Sequence, residues 1–351
     1  MTLLWAAFLL GAAFGVAARL GRFCLLRGIR QAMGLDAQEP AGHTPALQAF
    51  ALALAIALLA SQGLQLAGWV DLANGPIVRN TFSIAGVLRG GALFGAGMVL
   101  ANACGARSLV VLAGGNLRSL GTVVFLGLGA QISMTGVLAP VRQWFQSIAP
   151  TEVAHSTVIH SLQAAGWSSA TSYALLVGTP ALLLIAYALW QPALRRSPLQ
   201  WINAMVIGGL VPAGWWITAT IDVDPFDPVK LTSLSFIGPI AESLLYMQLA
   251  VGREFSIGPA LAAGVLVGAM VIALLSRTAR WEGFDSAWHL AKSAIGGVLM
   301  GFGGVLAAGC SIGQGLTGFS TLAWASLPAV VGIVLGAVLL LAVQHRTAKL
   351  R

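Results

Sequence analysis

The chain has 351 residues, of which 58% are hydrophobic and only 9% carry a formal charge, and its net charge is +8. Because a soluble domain has about 25% charged residues, this composition leaves too little polar surface for a globule in water. It excludes a cytosolic enzyme, a nucleic-acid-binding module and a disordered chain. It predicts an all-α polytopic membrane protein, with membrane lipid as its surroundings.

Nine apolar stretches are long enough to cross a bilayer, since each has about 17–25 residues between charges, prolines or polar clusters. In chain order they are 2–20, 45–67, 82–103, 117–139, 170–190, 200–220, 258–276, 289–309 and 322–343. The first has no basic residues before it and no clear small-residue cleavage site after it. We therefore interpret it as a retained span rather than a signal peptide.

Four further stretches are too short or too interrupted to cross, and they are rich in Gly, Ser, Pro or polar residues: 21–33, 104–116, 234–250 and 310–321. A helix that ends inside a membrane is tolerated only where protein or water surrounds it. We therefore expect these four stretches to form short re-entrant helices in the interior of the protein.

The basic residues are divided unequally between the two sides of the predicted membrane. With the N-terminus outside, 14 of the 19 basic residues fall on the inner side, Arg351 at the C-terminus included, and five fall on the outer side. Lys and Arg concentrate at the cytoplasmic edges of membrane helices. The pattern therefore predicts that the N-terminus lies outside and the C-terminus inside.

An internal repeat relates two parts of the chain. Residues 91–104 (GALFGAGMVLANAC) align with residues 297–310 (GVLMGFGGVLAAGC) at an offset of 206, and eight of the fourteen positions are identical. The copies lie five spans apart, so the third and eighth spans run in opposite directions. Inverted repeats of this kind are typical of transporters, which bind their substrate between the two halves near the bilayer midplane.

The repeat also predicts the domain organisation, because each half should contain one copy. We predict a single membrane domain over residues 1–351. Within it, we expect a first half at 1–140, a connecting loop and span at 141–199, and a second, inverted half at 200–345. The part of the connection from about 140 to 169 is interpreted as an outer loop.

The three cysteines occupy similar positions. Cys24 lies where the first predicted span ends, and Cys104 and Cys310 end the two copies of the repeat. Helix ends inside a membrane expose backbone N–H groups and positive dipole ends, which favour an anion. A thiol is a weak donor and a polarizable acceptor, so it can hold a sulfur atom loosely, as passage through successive sites requires. The pattern indicates a pathway for a sulfur-containing anion.

Other interpretations of the thiols stay open at this point. Three thiols also suit a soft metal such as Cu(I), and a thiol in an electropositive setting could carry a persulfide in a membrane sulfurtransferase. Free cysteines also pack as small hydrophobic residues. The chain has no Cys-x-x-Cys spacing, Walker motif, dinucleotide fingerprint or hydrolase elbow. We therefore expect no catalytic residue, no metal site and no cofactor.

Six further residues beside the predicted breaks are candidates for the pathway lining: Asn102, Gly105, Arg107, Glu242, Gly309 and Gln314. Intramembrane amides such as Asn102 and Gln314 either join helices or line cavities. Glu242 is a carboxylate in a short apolar segment, and ionisable groups in such places are functional candidates. Arg107 could attract an anion, although membrane topology or lipid contact explains its position more simply.

Four sequence patterns resemble the signatures of a known family: Gly21-Arg22-Phe23-Cys24, Gly95-x-Gly97 leading to Ala103-Cys104-Gly105, Gly301-x-Gly303 leading to Ala308-Gly309-Cys310, and residues 235–242 (SFIGPIAE). They are similar to those of the YeeE/YedE family of bacterial inner-membrane sulfur transporters. The resemblance implies an hourglass-shaped protein with an inverted repeat. It also implies uptake of thiosulfate from the periplasm along a path that touches Cys24, Cys104 and Cys310, with Cys104 at its centre.

The same resemblance implies a cytoplasmic partner, a small TusA-like sulfur-carrier protein. In a bacterial inner membrane, the orientation predicted from the basic residues places the N-terminus in the periplasm and the C-terminus in the cytoplasm. Other members of the family are assigned to different sulfur or selenium species, which makes such species the alternative substrates.

Overall fold

The computed structural model describes residues 2–40, 42–221, 230–284 and 286–349, and it is mostly helical over these residues. The first six helices are α1 (Thr2–Leu20), α2 (Leu25–Ala32), α3 (Pro45–Leu66), α4 (Ile84–Ala101), α5 (Gly105–Leu112) and α6 (Leu117–Met134). The next five are α7 (Ala139–Ser147), α8 (Val158–Ala164), α9 (Ser169–Tyr173), α10 (Thr179–Trp190) and α11 (Pro192–Arg195). The last five are α12 (Pro198–Thr220), α13 (Ile237–Gln248), α14 (Ile257–Leu275), α15 (Ala287–Leu306) and α16 (Ser326–Lys349).

Nine helical segments of the described residues are long and apolar enough to cross a membrane. Two of them continue past a break into a short helix, namely Thr2–Ala32 and Ile84–Leu112. The prediction of an all-α polytopic membrane protein with nine spans is therefore confirmed. Residues 222–229 of the predicted second half, and Arg351 among the basic residues counted, lie outside the described residues.

The fourth and ninth spans are shorter at one end than the sequence predicted. The fourth ends at Met134 rather than 139, because the chain turns there and α7 begins at Ala139, with Pro140 in its first turn. The ninth begins at Ser326 rather than 322. The segment just before it leaves the helical path, and Ala323 forms a β-bridge with Thr157. Hydropathy alone does not separate such apolar turns from the helix that they adjoin.

The four stretches predicted to be short helices all contain one. They are α2, α5, α13 and a π-helical turn at Gly313–Gly318. The three cysteines lie just before three of these helices and belong to the main hydrophobic core. The short helices therefore begin in the interior of the protein.

Helix pairs in the fold follow the sequence repeat. Helix α4 packs against α16, its counterpart α15 packs against α6, and the two counterparts pack against each other. A second pair of contacts of this kind is formed by α1 with α14 and by α12 with α3. Exchanging each helix for its counterpart reproduces the same set of pairs, as expected for two related halves. The division of the chain at residues 140 and 200 stays a prediction.

Glycines of the repeat let these helices approach closely. A Cβ on Gly95 would collide with the carbonyl oxygen of Ile333 on α16 and lie 2.8 Å from the nitrogen of Ala337. Its counterpart Gly301 faces α6, where a Cβ would lie 2.6 Å from the nitrogen of Ala130. Small residues at such contacts bring membrane helices to van der Waals distance. The repeat therefore builds the same helix contact twice.

The segment from 140 to 169 is more ordered than the predicted outer loop. It contains most of α7, all of α8, and the strand β2 (Pro150–Glu152), which pairs antiparallel with β1 (Thr81–Ser83). The N–H of Val158 donates to the carbonyl oxygen of Leu322 at 2.9 Å. The segment therefore ties the start of α4 to the chain just before α16. The sequence did not indicate this order because the partners are far away along the chain.

Candidate functional site

Each cysteine follows a sharp backbone turn at the end of a long helix. The residue two positions before it has a left-handed conformation without being glycine, with φ of 48° at Arg22, 59° at Asn102 and 56° at Ala308. Such a conformation is uncommon for these residue types and ends a helix abruptly. At the first break, the N–H of Phe23 donates back to the carbonyl oxygen of Ala18 at 3.1 Å. The three thiols are therefore positioned by one recurring local structure.

A short helix starts directly after each of these turns. Cys24 and Cys104 are the N-cap residues of α2 and α5, both with extended backbones. The N–H of Gly313 donates to the sulfur of Cys310 at 3.2 Å, and the N–H of Phe236, the N-cap of α13, also points to that sulfur. Positive ends of helix dipoles thus face the thiols, an arrangement that favours negative charge.

The structure brings two of the thiols together and connects them to the third through one residue. The side chains of Cys24 and Cys104 are neighbours and share the wall of a small cavity with Ser311. Cys310 precedes Ser311 in the chain and is 1% exposed. Ser311 therefore connects Cys310, through the chain, to the cavity that Cys104 and Cys24 line.

This small cavity is closed. Its volume is about 10 Å³, which is about the space of one water molecule. Aromatic rings pack around it: Phe14 lies 4.8 Å from Phe236 between ring centroids, and Phe23 stacks on Phe50 at 5.4 Å. An anion larger than water passes the thiols only if these side chains move.

Cys24 and Arg107 also line a much larger cavity of about 840 Å³. A neighbouring cavity of about 1130 Å³ shares Arg30, Asn102 and Arg107 with it. We call these two cavities together the basic vestibule. Two acidic side chains, Asp36 and Glu282, and eight basic ones line it: Arg19, Arg22, Arg27, Arg30, Arg107, Arg118, Arg280 and Lys292.

Part of this positive charge is compensated within the protein. Arg27 pairs with Asp36 at 3.4 Å and with Glu39 at 3.2 Å. Burial by itself would raise the pKa of Asp36, but hydrogen bonds from the Gln38 N–H, the Gln31 amide and Arg27 hold it below its usual value. Among the described residues, no ion pair is found for Arg107, which lies closest to the thiols. The positive potential therefore persists where the vestibule meets the small cavity.

Asn102 and Arg107 are the predicted lining residues that the structure places beside the thiols. Arg107 lines both the small cavity and the vestibule. The side-chain oxygen of Asn102 accepts a hydrogen bond from Arg30. This bond joins the last turn of α2 to the C-terminal end of α4, at the edge of the vestibule.

The other predicted lining residues have different surroundings. Gly105 is the first residue of α5, whereas Gly309 belongs to the turn before Cys310 and has a φ of 159°. The buried amide of Gln314 is fully used: its nitrogen donates to the carbonyl oxygens of Ala307 and Ala308 at 2.9 and 3.0 Å, and its oxygen accepts from Ser326. Gln314 therefore stabilises the end of α15.

Glu242 lies apart from the thiols. It is exposed, and its carboxylate accepts a hydrogen bond of 3.1 Å from Ser256, the residue before α14. A carboxylate at the N-terminus of a helix stabilises that helix through its dipole. It is not among the residues that line the small cavity or the vestibule.

Two residues of the site were missed by the sequence reasoning. Arg30 was counted only for membrane topology, yet it lies in the vestibule. Ser311 was not singled out, although the repeat offset pairs it with Gly105 and so marks a position where the two copies differ. Comparing the residues just after the two aligned cysteines would have found it.

The fold and the site define a multi-pass membrane protein with buried thiols that open onto a basic vestibule. The chain belongs to the sulphur transport family, whose model, described as "Sulphur transport", matches residues 20–339. It is therefore a transporter and not an enzyme, and the predicted membership of a sulfur transporter family is confirmed.

Two relatives extend over nearly the whole chain. The thiosulfate transporter TsuA of Spirochaeta thermophila is 27% identical over 343 residues, which cover 95% of this chain and 97% of the relative. The thiosulfate transporter TsuA of Escherichia coli K12 is 25% identical over 345 residues, which cover 93% of this chain and 90% of the relative. The similarity thus includes both halves of the repeat.

Proposed function

We propose that this protein carries thiosulfate inward across the bacterial inner membrane, past Cys310, Cys104 and Cys24 in that order. The observation that carries the proposal is that two buried thiols, Cys24 and Cys104, line one small cavity, and that Cys24 also lines the basic vestibule. The names of the two relatives support thiosulfate as the substrate. The positive-inside pattern supports a periplasmic N-terminus and a cytoplasmic C-terminus, with the vestibule as the exit.

A divalent anion loses much hydration energy when it enters apolar surroundings. In this pathway, the N-termini of α2, α5 and α13 offer N–H groups and positive dipole ends in place of water. The thiols contact the terminal sulfur of thiosulfate through weak S–H hydrogen bonds, which hold it without trapping it. The closed cavity of about 10 Å³ requires a transient opening for each anion.

Uptake into proteoliposomes tests the proposal directly. Proteoliposomes that contain the purified protein should accumulate labelled thiosulfate. Unlabelled thiosulfate should compete with this uptake more strongly than sulfate, selenite or cysteine. The matched control is a liposome without protein. Uptake of sulfate or selenite with equal preference would contradict thiosulfate as the specific substrate.

We also propose that a small TusA-like sulfur-carrier protein receives the anion at the vestibule. The basic lining of the vestibule supports an acidic partner at this face. Adding such a carrier to the inside of the proteoliposomes should increase the uptake rate. An unchanged rate, with carrier present in excess, would argue against the partnership.

The charge of Arg107 should draw thiosulfate toward the thiols. We expect Arg107→Gln to raise the KM for uptake about threefold or more at low ionic strength, and we expect the difference to shrink as salt screens the charge. The matched control is Arg195→Gln, an exposed arginine predicted on the same side that does not line the vestibule. If both variants have the same KM at every salt concentration, Arg107 does not attract the anion and contributes only to membrane topology.

A further inference from the structure

Ser311 has a polar group that the fold leaves unused. It is 1% exposed, and its hydroxyl oxygen has no hydrogen-bond partner among the described residues. The hydroxyl approaches the thiol of Cys104, but without the geometry of a hydrogen bond. Since leaving a buried hydroxyl unpaired destabilises a fold, such a group in a transport pathway indicates a ligand contact.

Ser108 shows that the lack of a partner is not sufficient by itself. Its hydroxyl is also buried and unpartnered, and it lies one helical turn after Cys104. Only Ser311, however, lines the small cavity together with Cys24 and Cys104. The two serines therefore differ in the one property that an anion contact requires, which is access to the cavity.

The two copies of the repeat differ at the position of Ser311. At the offset of 206, the residue after the aligned cysteine is Gly105 in the first copy and Ser311 in the second. A Cβ on Gly105 would lie 3.0 Å from the Leu126 side chain, so a larger residue is crowded there. The second copy thus presents a hydroxyl where the first has no side chain.

We infer that the Ser311 hydroxyl is a specificity-determining contact, which donates a hydrogen bond to an oxygen of thiosulfate as the anion moves from Cys310 to Cys104. This inference rests on the proposed function. A hydroxyl is a stronger donor than a thiol, so it suits the oxygen end of the anion, while Cys24 and Cys104 face the terminal sulfur. The pathway then selects an anion that has both a sulfur end and an oxygen end.

The test compares Ser311→Ala with the matched control Ser108→Ala in proteoliposomes. We expect Ser311→Ala to raise the KM for thiosulfate about tenfold, the effect of one lost hydrogen bond to a charged group. Its Tm in detergent should stay the same or rise, because an unpaired hydroxyl has been removed. Ser108→Ala should leave KM unchanged. Ser311→Gly places the residue of the first copy at this position, and it should also raise the KM for thiosulfate.

The outcomes separate the two proposals. If wild-type protein takes up no thiosulfate, the proposed function fails. If wild-type protein takes it up and Ser311→Ala and Ser311→Gly both keep the wild-type KM, only the role of Ser311 is overturned. A lower Tm with an unchanged KM would assign Ser311 a structural role and would overturn the inference as well.

Discussion

Replacing Cys104 with Ala is expected to reduce thiosulfate uptake to the background rate. Its thiol is 4% exposed, adjoins Cys24 and faces Ser311, so it occupies the centre of the proposed pathway. Without it, the anion crosses the narrowest point with no sulfur contact from α5. A barrier higher by about 2.7 kcal/mol already slows transport about a hundredfold.

The measurement is uptake into proteoliposomes, together with growth of a sulfur-auxotrophic host on thiosulfate. The matched control is Val110→Ala, because Val110 is also buried and lines the same small cavity but has no sulfur. We expect Val110→Ala to retain uptake. Normal growth of the Cys104→Ala strain would reject a role for this thiol in passage.

The same protein sample distinguishes passage from chemistry at the thiol. A thiol that only contacts the anion stays unmodified, whereas a transferase would form a persulfide on Cys104. Intact-mass measurement during turnover should therefore show the unmodified mass. A mass increase of one sulfur atom in the wild-type protein that is absent in Cys104→Ala would contradict passage by weak contacts alone.

Replacing Gly95 with Ala is expected to prevent correct packing of α4 against α16. The added methyl group would collide with backbone atoms of Ile333 and Ala337, which cannot rotate away as a side chain can. We expect a loss of about 3 kcal/mol or more, at the upper end of the cost of overpacking. Gly301→Ala should have a similar effect, since Gly301 makes the same contact in the second copy.

Thermal unfolding in detergent and the yield of folded protein measure this effect. The matched control is Gly209→Ala in α12, where no atom lies within 4 Å of the added Cβ. That variant should keep or raise the Tm, because Ala stabilises a helix by about 1 kcal/mol relative to Gly. If Gly95→Ala and Gly209→Ala have the same Tm, the helices of the repeat are not in backbone contact.

Sequence patterns predicted the parts of the protein that depend on local composition. Long apolar runs identified the nine spans, because a helix in a bilayer must hide its backbone polar groups within itself. Interruptions by Gly, Ser and Pro identified the short helices, and the repeat of residues 91–104 at 297–310 identified counterpart helices. The cysteines were recognised because they recur at these interruptions.

The tertiary structure decided which partners the polar groups have and which groups face the cavities. In the sequence, Gln314 and Asn102 were both intramembrane amides. In the structure, the amide of Gln314 forms hydrogen bonds with Ala307, Ala308 and Ser326 in the interior. The side-chain oxygen of Asn102 instead accepts a hydrogen bond from Arg30 at the vestibule. Ser311 looked like an ordinary small residue, yet its hydroxyl is buried without a partner.

The physical reason is the range of the interactions. Spans and breaks follow from the transfer of neighbouring residues into lipid, which sequence order records directly. Hydrogen bonds such as the one from Arg30 to Asn102 join residues that are 72 positions apart. They depend on how the helices pack, so hydropathy and spacing determined the architecture of this protein, while the packing of its two halves determined the chemistry of the pathway.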